Sequence, residues 1–157
     1  FFSTDKKGQY QKSYLNGLPE ETDTGLLEFV KTAEKLIAPV LINEIGQSLI
    51  AKNYEGWFGV DSLIFKDNNA QLKINPCLEI NLRQNMGLLS LKLQHYLPAD
   101  KKGILSLYYR PGISFKAFAE KMEQDHPLKI SENKLESGFF PLTPTTNDAD
   151  FGAYLLA

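Results

Sequence analysis

Residues 73–87 read KINPCLEINLRQNMG, and this stretch organises our interpretation of the whole chain. Side chains on a β-strand alternate between its two faces. One face of the predicted strand is apolar, and it carries Leu72, Ile74, Leu78, Ile80 and Leu82. The other face carries polar or reactive groups, namely Lys73, Asn75, Cys77, Glu79, Asn81 and Arg83. The pattern therefore predicts a strand with one core face and one face able to bind a ligand.

The polar face has a particular chemistry. Glu79 and Asn81 lie two residues apart and offer hard oxygen ligands for a divalent cation, and the guanidinium of Arg83 matches the geometry of a phosphate or carboxylate. An ordinary amphipathic strand with a solvated outer face shows the same alternation. The stretch by itself leaves both interpretations open.

A second strand is predicted directly upstream, in residues 56–65, GWFGVDSLIF. This run is entered through glycines and is followed by the turn-forming residues Asp67, Asn68 and Asn69, so the two strands should form a hairpin. Asp61 is the one acid of this apolar run, and a carboxylate in such surroundings is costly unless it is paired. A divalent cation shared with Glu79 and Asn81 would be that partner.

The register of this hairpin decides whether Asp61 can share a cation with Glu79. Directly opposed residues of an antiparallel pair point to one face, so their position numbers must have an even sum. Direct opposition of the two acids centres the loop on Ala70, and a diagonal arrangement centres it on Asn69. A two-residue turn at Asn68 and Asn69 gives an odd sum and puts Asp61 on the opposite face. Without a bulge, we therefore expect a loop with an odd number of residues.

The two strands together resemble the metal-binding hairpin of the ATP-grasp superfamily, the carboxylate–amine and carboxylate–thiol ligases. The resemblance rests on Gly56-x-x-Gly59-Val60-Asp61, a hairpin, and then Glu79-Ile80-Asn81-x-Arg83. It covers residues 56–87, extends to the helical run before them, and is absent after about Leu97. Either half of the paired motif alone would be weak, and the two together are fairly specific.

The resemblance implies a function and a role for five residues. Asp61, Glu79 and Asn81 would ligate Mg²⁺ (or Mn²⁺), Arg83 would be the catalytic contact to the acyl phosphate or substrate, and Leu63 would lie against the adenine of ATP. The chain would then be the C-terminal, Mg²⁺-binding part of a ligase that activates a small-molecule or peptide carboxylate as an acyl phosphate. An amine or similar nucleophile would attack that acyl phosphate. The alternative is a non-catalytic binding or structural α+β module whose acids keep a sheet face soluble.

Composition limits the class of protein. The chain has 157 residues, 43% of them apolar and 23% charged, which predicts a single soluble domain over 1–157. The net charge is −2 and the basic residues are scattered, so we expect no nucleic-acid partner and no membrane partner. Cys77 is the single cysteine, which excludes an internal disulfide and favours a cytoplasmic location.

The chain begins at Phe1 rather than at a methionine, so we interpret it as the C-terminal fragment of a longer ATP-grasp protein. ATP-grasp sites lie between two lobes, and the earlier lobe supplies the lysines that hold the α and β phosphates. Neither that lobe nor a GxxxxGK[ST] phosphate loop is present in the sequence. We therefore expect the N-terminal lobe of the same protein as a partner, and no activity from this chain alone.

The fold predicted from these patterns is α+β. It consists of an antiparallel sheet that contains the 56–81 hairpin, with helices packed on one face, as in the C-terminal ATP-grasp subdomain. Apolar spacing predicts helices over 26–37, 41–50, 88–97 and 114–124, with Pro39 ending or restarting the first. Strands are predicted over 9–15, 104–109, 128–135, 139–142 and 151–156.

Overall fold

The computed structural model describes residues 1–48 and 52–157, which divide into two compact units. Unit 1 combines Phe1–Pro19 with Met86–Ala157, and unit 2 is Glu20–Asn85. Within the described ranges the elements are, in chain order, β1 (Phe2–Thr4), β2 (Tyr10–Leu15), α1 (Thr24–Gln47), β3 (Gly59–Lys66), β4 (Leu72–Asn81), α2 (Met86–Leu93), a 3₁₀ turn (Gln94–Tyr96), β5 (Gly103–Tyr109), α3 (Phe115–Asp125), β6 (Lys129–Ser131), β7 (Lys134–Ser137), β8 (Phe139–Pro141) and β9 (Phe151–Leu156).

Unit 1, all of whose residues are described, is built on a five-stranded antiparallel sheet in the order β1-β2-β5-β9-β8. Strands β6 and β7 form a separate hairpin, where residues 128–135 were predicted to be one strand. The chain reverses there at Glu132 and Asn133, whose φ values of 50° and 60° are those of a tight two-residue hairpin turn. The α+β class predicted from the sequence is confirmed.

Helices cover both faces of this sheet. On one face Leu105 belongs to a cluster of buried residues with Leu15, Leu97, Leu135 and Leu155, against which Met86 and Leu93 of α2 pack. Tyr108, three residues further along β5, belongs to the opposite cluster with Phe115 and Ala119 of α3 and with Phe139. The prediction of helices on one face is therefore wrong for unit 1, because β5 buries large apolar side chains on both of its sides.

In unit 2, helix α1 is continuous through Pro39, so the predicted interruption at this residue is wrong. Asp23 caps the helix, since its Oδ1 accepts a hydrogen bond of 3.0 Å from the Leu26 N–H. Pro39 is exposed and removes a single backbone donor, which the turns on either side tolerate. The second predicted helix supplies the last turns of α1, and its residues Leu49 and Ile50 lie outside the described ranges.

The hairpin of β3 and β4 forms a two-stranded sheet of its own. The prediction that it belongs to the main antiparallel sheet is therefore wrong. Its packing partner is helical, since α1 contacts β4 within unit 2. Among the described residues, no helix is long and apolar enough to cross a lipid bilayer.

Candidate functional site

The register of the β3–β4 hairpin brings the two acids together. Asp61 lies directly opposite Glu79, and Gly59 lies directly opposite Asn81. Lys66 and Leu72 form the last pair before a loop of residues 67–71, which has an odd number of residues. The even register and the odd loop are as predicted, and the two acids are directly opposed. The loop is centred on Asn69, however, where the sequence predicted a diagonal arrangement, and a bulge accounts for the difference.

A bulge separates this end of the hairpin from its tip. Leu63 pairs with Asn75, so residues 76–78 of β4 lie across from Ser62 alone. The Ser62 hydroxyl donates a 2.7 Å hydrogen bond to the Pro76 carbonyl, and Pro76 itself lacks the N–H that a regular ladder would use. Across the bulge, β4 has two more residues than β3. Because two is an even number, the alternation of faces is preserved. Leu63 consequently lies on the same face as Asp61 and Glu79.

The side chains of Asp61 and Asn81 are in contact. Asn81 is only 7% exposed, and its Nδ2 donates a 3.3 Å hydrogen bond to Oδ2 of the half-buried Asp61. This orientation leaves the Oδ1 carbonyl oxygen of Asn81 as an acceptor. Glu79 is exposed, and opposed residues of an antiparallel pair have Cβ atoms about 4.5–5.5 Å apart. Two carboxylates and an amide oxygen therefore lie on one face of the hairpin.

This donor set fits magnesium. Mg²⁺ is bound in proteins by one or two carboxylates, completed by substrate phosphates and several waters. Within the described ranges, no group of three or more His, Cys, Asp or Glu side chains could hold a metal ion, and the hairpin set contains two such residues together with an amide. The set is therefore suited to a metal that arrives with an anionic ligand.

Arg83 is placed differently from the other four predicted site residues. Strand β4 ends at Asn81, so the alternation predicted as far as Arg83 stops two residues before it. The Arg83 side chain is exposed, and its Nη1 donates a 3.4 Å hydrogen bond to the carbonyl of Gln84. The hairpin register thus brings Asp61, Leu63, Glu79 and Asn81 to one face, and Arg83 follows the end of the strand.

Asn85 lies beside the candidate site, and this position was not predicted from the sequence. A Cβ added to Gly59 would overlap the amide group of Asn85, so the Asn85 side chain occupies the space that any other residue at position 59 would fill. The missing Cβ of Gly59 would point to the face of its partner Asn81, so Asn85 lies on the face of the acids. The available signal was the glycine itself, since a glycine inside a strand often marks a close approach.

The opposite face of the hairpin borders an apolar cavity, which we call the hairpin cavity. Its volume is about 510 Å³, and it is lined by Glu44, Ile45, Ser48, Tyr54, Gly56, Phe58, Ile80 and Leu82. The Tyr54 hydroxyl donates a 2.7 Å hydrogen bond to the Trp57 carbonyl beside it. Ile80 alternates with Glu79 and Asn81, so this cavity is separate from the candidate metal site and from Leu63.

Comparison with known proteins adds no family: no family model, no curated protein and no solved structure matches the chain.

Proposed function

We propose that this chain is the C-terminal, Mg²⁺-binding part of an ATP-dependent ligase of the ATP-grasp type. The observation that carries the proposal is the direct opposition of Asp61 and Glu79, with Asn81 bonded to Asp61 on the same face. Like charges on directly opposed strand positions are destabilising, so a cation that both carboxylates bind would explain their placement. The paired sequence motif around these residues supports the same assignment.

In this proposal each residue of the hairpin has a defined task. Asp61, Glu79 and the Oδ1 of Asn81 hold Mg²⁺, which when bound neutralises charge on the ATP phosphates. Arg83 binds the acyl phosphate that forms when the γ-phosphoryl group passes to the substrate carboxylate. An amine or similar nucleophile then attacks the acyl carbon and releases phosphate. Leu63, which is 47% exposed, offers apolar surface to the adenine.

The surface of unit 2 supports the proposed partner, the N-terminal lobe of the same protein. Large apolar side chains of this unit are exposed, among them Leu36, Ile42, Trp57, Phe65 and Leu78. Extensive apolar exposure on a protein surface marks sites of interaction with another surface. We propose a cytoplasmic location, where ATP is available and the free, exposed Cys77 would remain reduced.

One observation favours the alternative, a non-catalytic binding or structural module. The amide of Asn81 already pairs the half-buried carboxylate of Asp61, so this acid has a partner in the absence of any metal. The two candidate functions differ in one property, which is whether a divalent cation binds at Glu79 as well as at Asp61.

Paramagnetic Mn²⁺ tests this difference. We expect Mn²⁺ to broaden the amide resonances of residues 59–63 and 78–83 in NMR spectra, and to bind more tightly when a non-hydrolysable ATP analogue is present. Asp61→Asn and Glu79→Gln should each weaken Mn²⁺ binding by about tenfold or more, since each removes a charged ligand. Glu28→Gln is the matched control, because Glu28 is an exposed acid on α1 of the same unit.

Broadening that spares these two segments would overturn the metal site, and so would equal Mn²⁺ affinity in Glu79→Gln and Glu28→Gln. In either case the acids would belong to a solvated strand face, and the module interpretation would replace the ligase.

A further inference from the structure

A second cavity lies in unit 1, and we call it the sheet cavity. It has a volume of about 330 Å³ and lies where the 3₁₀ turn, the β6–β7 hairpin and the sheet meet. Its floor includes Leu135 and Leu155, which are 6% and 3% exposed and belong to the core of the unit. Its rim includes the exposed side chains of Tyr96, Ile130 and Phe140. Because the floor is part of the packed core, the cavity exists without a ligand.

The charge at the sheet cavity has one sign. Of the described residues that line it, Lys134 alone is charged, and the other polar side-chain groups are the amide of Asn133 and the hydroxyl of the exposed Tyr96. The Lys134 ammonium donates a hydrogen bond to the His95 carbonyl, which leaves it two further donors. Within the part of the chain that the structure describes, no carboxylate forms an ion pair with it.

The Lys134 ammonium is exposed to solvent at the edge of the sheet cavity, and a backbone hydrogen bond fixes its position. A lysine that only covers apolar surface with its methylene groups extends its charged end into water. Lys134 is partly buried as a residue, and the solvent-exposed hydrogen bond to the His95 carbonyl holds its ammonium at the apolar cavity. Asn133 lies beside it in the tight turn, where its φ is 60°.

We propose that the sheet cavity binds a small hydrophobic carboxylate. The apolar tail lies on Leu135 and Leu155, and the carboxylate accepts hydrogen bonds from the Lys134 ammonium and the Asn133 amide. Small-molecule sites commonly begin at about 300 Å³ and combine apolar walls with a few polar groups that fix orientation. The positive charge of Lys134 favours an anionic ligand. An ammonium ligand would be repelled by Lys134, because no carboxylate among the described lining residues would balance the two positive charges. This inference concerns unit 1 and does not rest on the proposed ligase function.

Three eight-carbon probes of different charge test the proposal: octanoate, 1-octanol and octylammonium, each used below its aggregation concentration. Isothermal titration calorimetry should show octanoate binding about tenfold more tightly than 1-octanol, as expected for a charge-assisted hydrogen bond. Octylammonium should bind more weakly than 1-octanol. NMR chemical shifts should change at Leu93, Leu135 and Leu155.

Variants identify the group that selects the charge. Lys134→Gln should reduce octanoate affinity to that of 1-octanol, and Lys129→Gln should leave it unchanged, because Lys129 is exposed and does not line the cavity. Ile130→Glu places a carboxylate at a rim position that is 59% exposed, and it should abolish the preference for octanoate over octylammonium, because it offsets the charge of Lys134. Far-UV circular dichroism confirms that each variant is folded.

Three results would overturn the proposal. They are the absence of saturable octanoate binding to the unsubstituted chain, equal affinity for the three probes, and equal octanoate affinity in Lys134→Gln and Lys129→Gln.

Discussion

At the scale of single residues, the opposed carboxylates of Asp61 and Glu79 predict a stability change of unusual sign. Opposed like charges destabilise a strand pair by about 0.2–1 kcal/mol when no cation is present. In a metal chelator, Glu79→Gln should therefore raise the free energy of unfolding of unit 2 by about that amount, measured by urea denaturation. Glu28→Gln should leave it unchanged within error. A Glu79→Gln variant less stable than the original would show that the Glu79 carboxylate has a favourable partner.

Close packing around Gly152 predicts that a larger residue at this position destabilises unit 1. A Cβ built on Gly152 would overlap the ring of Phe115, which is fully buried in the core of unit 1. Gly152→Ala should destabilise unit 1 by about 1–3 kcal/mol, as is typical of overpacked cores. Thermal unfolding measures the change. Phe115→Leu combined with Gly152→Ala should recover part of the loss, because the smaller side chain vacates the contested space; additive losses would contradict this cause.

At the scale of elements, Pro39 within α1 predicts a stabilising substitution. Proline in a helix interior removes one backbone hydrogen bond and is about 3 kcal/mol less favourable than alanine. Pro39 is exposed, so Pro39→Ala should lose no packing and should stabilise unit 2 by roughly 1–3 kcal/mol, with higher helicity at 222 nm. Val40→Ala, at the next exposed position, should change stability by less than about 0.5 kcal/mol. Destabilisation by Pro39→Ala would contradict this expectation and would indicate that the proline ring makes favourable contacts in the folded unit.

The β3–β4 hairpin shows which properties of a structural element can be predicted from the sequence. The shared face of Asp61 and Glu79 could be predicted from the sequence, because side chains alternate along each strand. Two opposed residues share a face whenever their position numbers have an even sum. The bulge opposite Ser62 was not predicted, although Pro76 in the middle of a strand was a usable signal for it. Gly59 within the strand was a usable signal for a close approach, but the identity of its neighbour, Asn85, depends on the path of the chain after the strand and could not be predicted.

The assignment of strands to sheets was the main error of the sequence-based prediction at the scale of elements. The strands were located from apolar runs, yet their pairing partners depend on long-range contacts that alternation does not encode. The β3–β4 hairpin was assigned to the main sheet, whereas it pairs only with itself in the described structure. Leu105 and Tyr108 are buried on opposite faces of β5, and their odd spacing in an apolar strand was an unused signal for a sheet covered on both faces.

At the scale of the whole molecule, the exposure of the candidate site predicts that this chain alone does not turn over ATP. Phosphoryl transfer depends on holding nucleotide, metal and acceptor in line, and such positioning supplies roughly 7–11 kcal/mol of barrier reduction. Glu79 and Arg83 are both exposed, so the site excludes little water. Phosphate release should therefore stay at background with ATP, Mg²⁺ and a mixture of carboxylates and amines. Turnover that disappears in Glu79→Gln would show that the chain is a complete enzyme.

The two compact units should also differ in stability. The buried apolar residues of unit 1 form two clusters over both sheet faces, whereas those described in unit 2 are Val30 and Ala33. An isolated two-stranded hairpin is marginally stable in water, so β3 and β4 depend on their contact with α1. Backbone amides of β3 and β4 should consequently exchange with solvent through low-energy local openings, while those of β5 and β9 should exchange only on global unfolding of unit 1.

Native-state hydrogen exchange in increasing urea measures both classes of amide in one sample. Repetition with Mg²⁺ and a non-hydrolysable ATP analogue adds a functional control, because a ligand that binds only the folded hairpin stabilises it by mass action. Protection should then rise in β3 and β4, remain unchanged in β5 and β9, and fail to rise in Glu79→Gln. Equal protection of the four strands without ligand would contradict the stability difference between the units. Protection that is low in β3 and β4 and insensitive to the ligand would preserve that difference and count against the metal site.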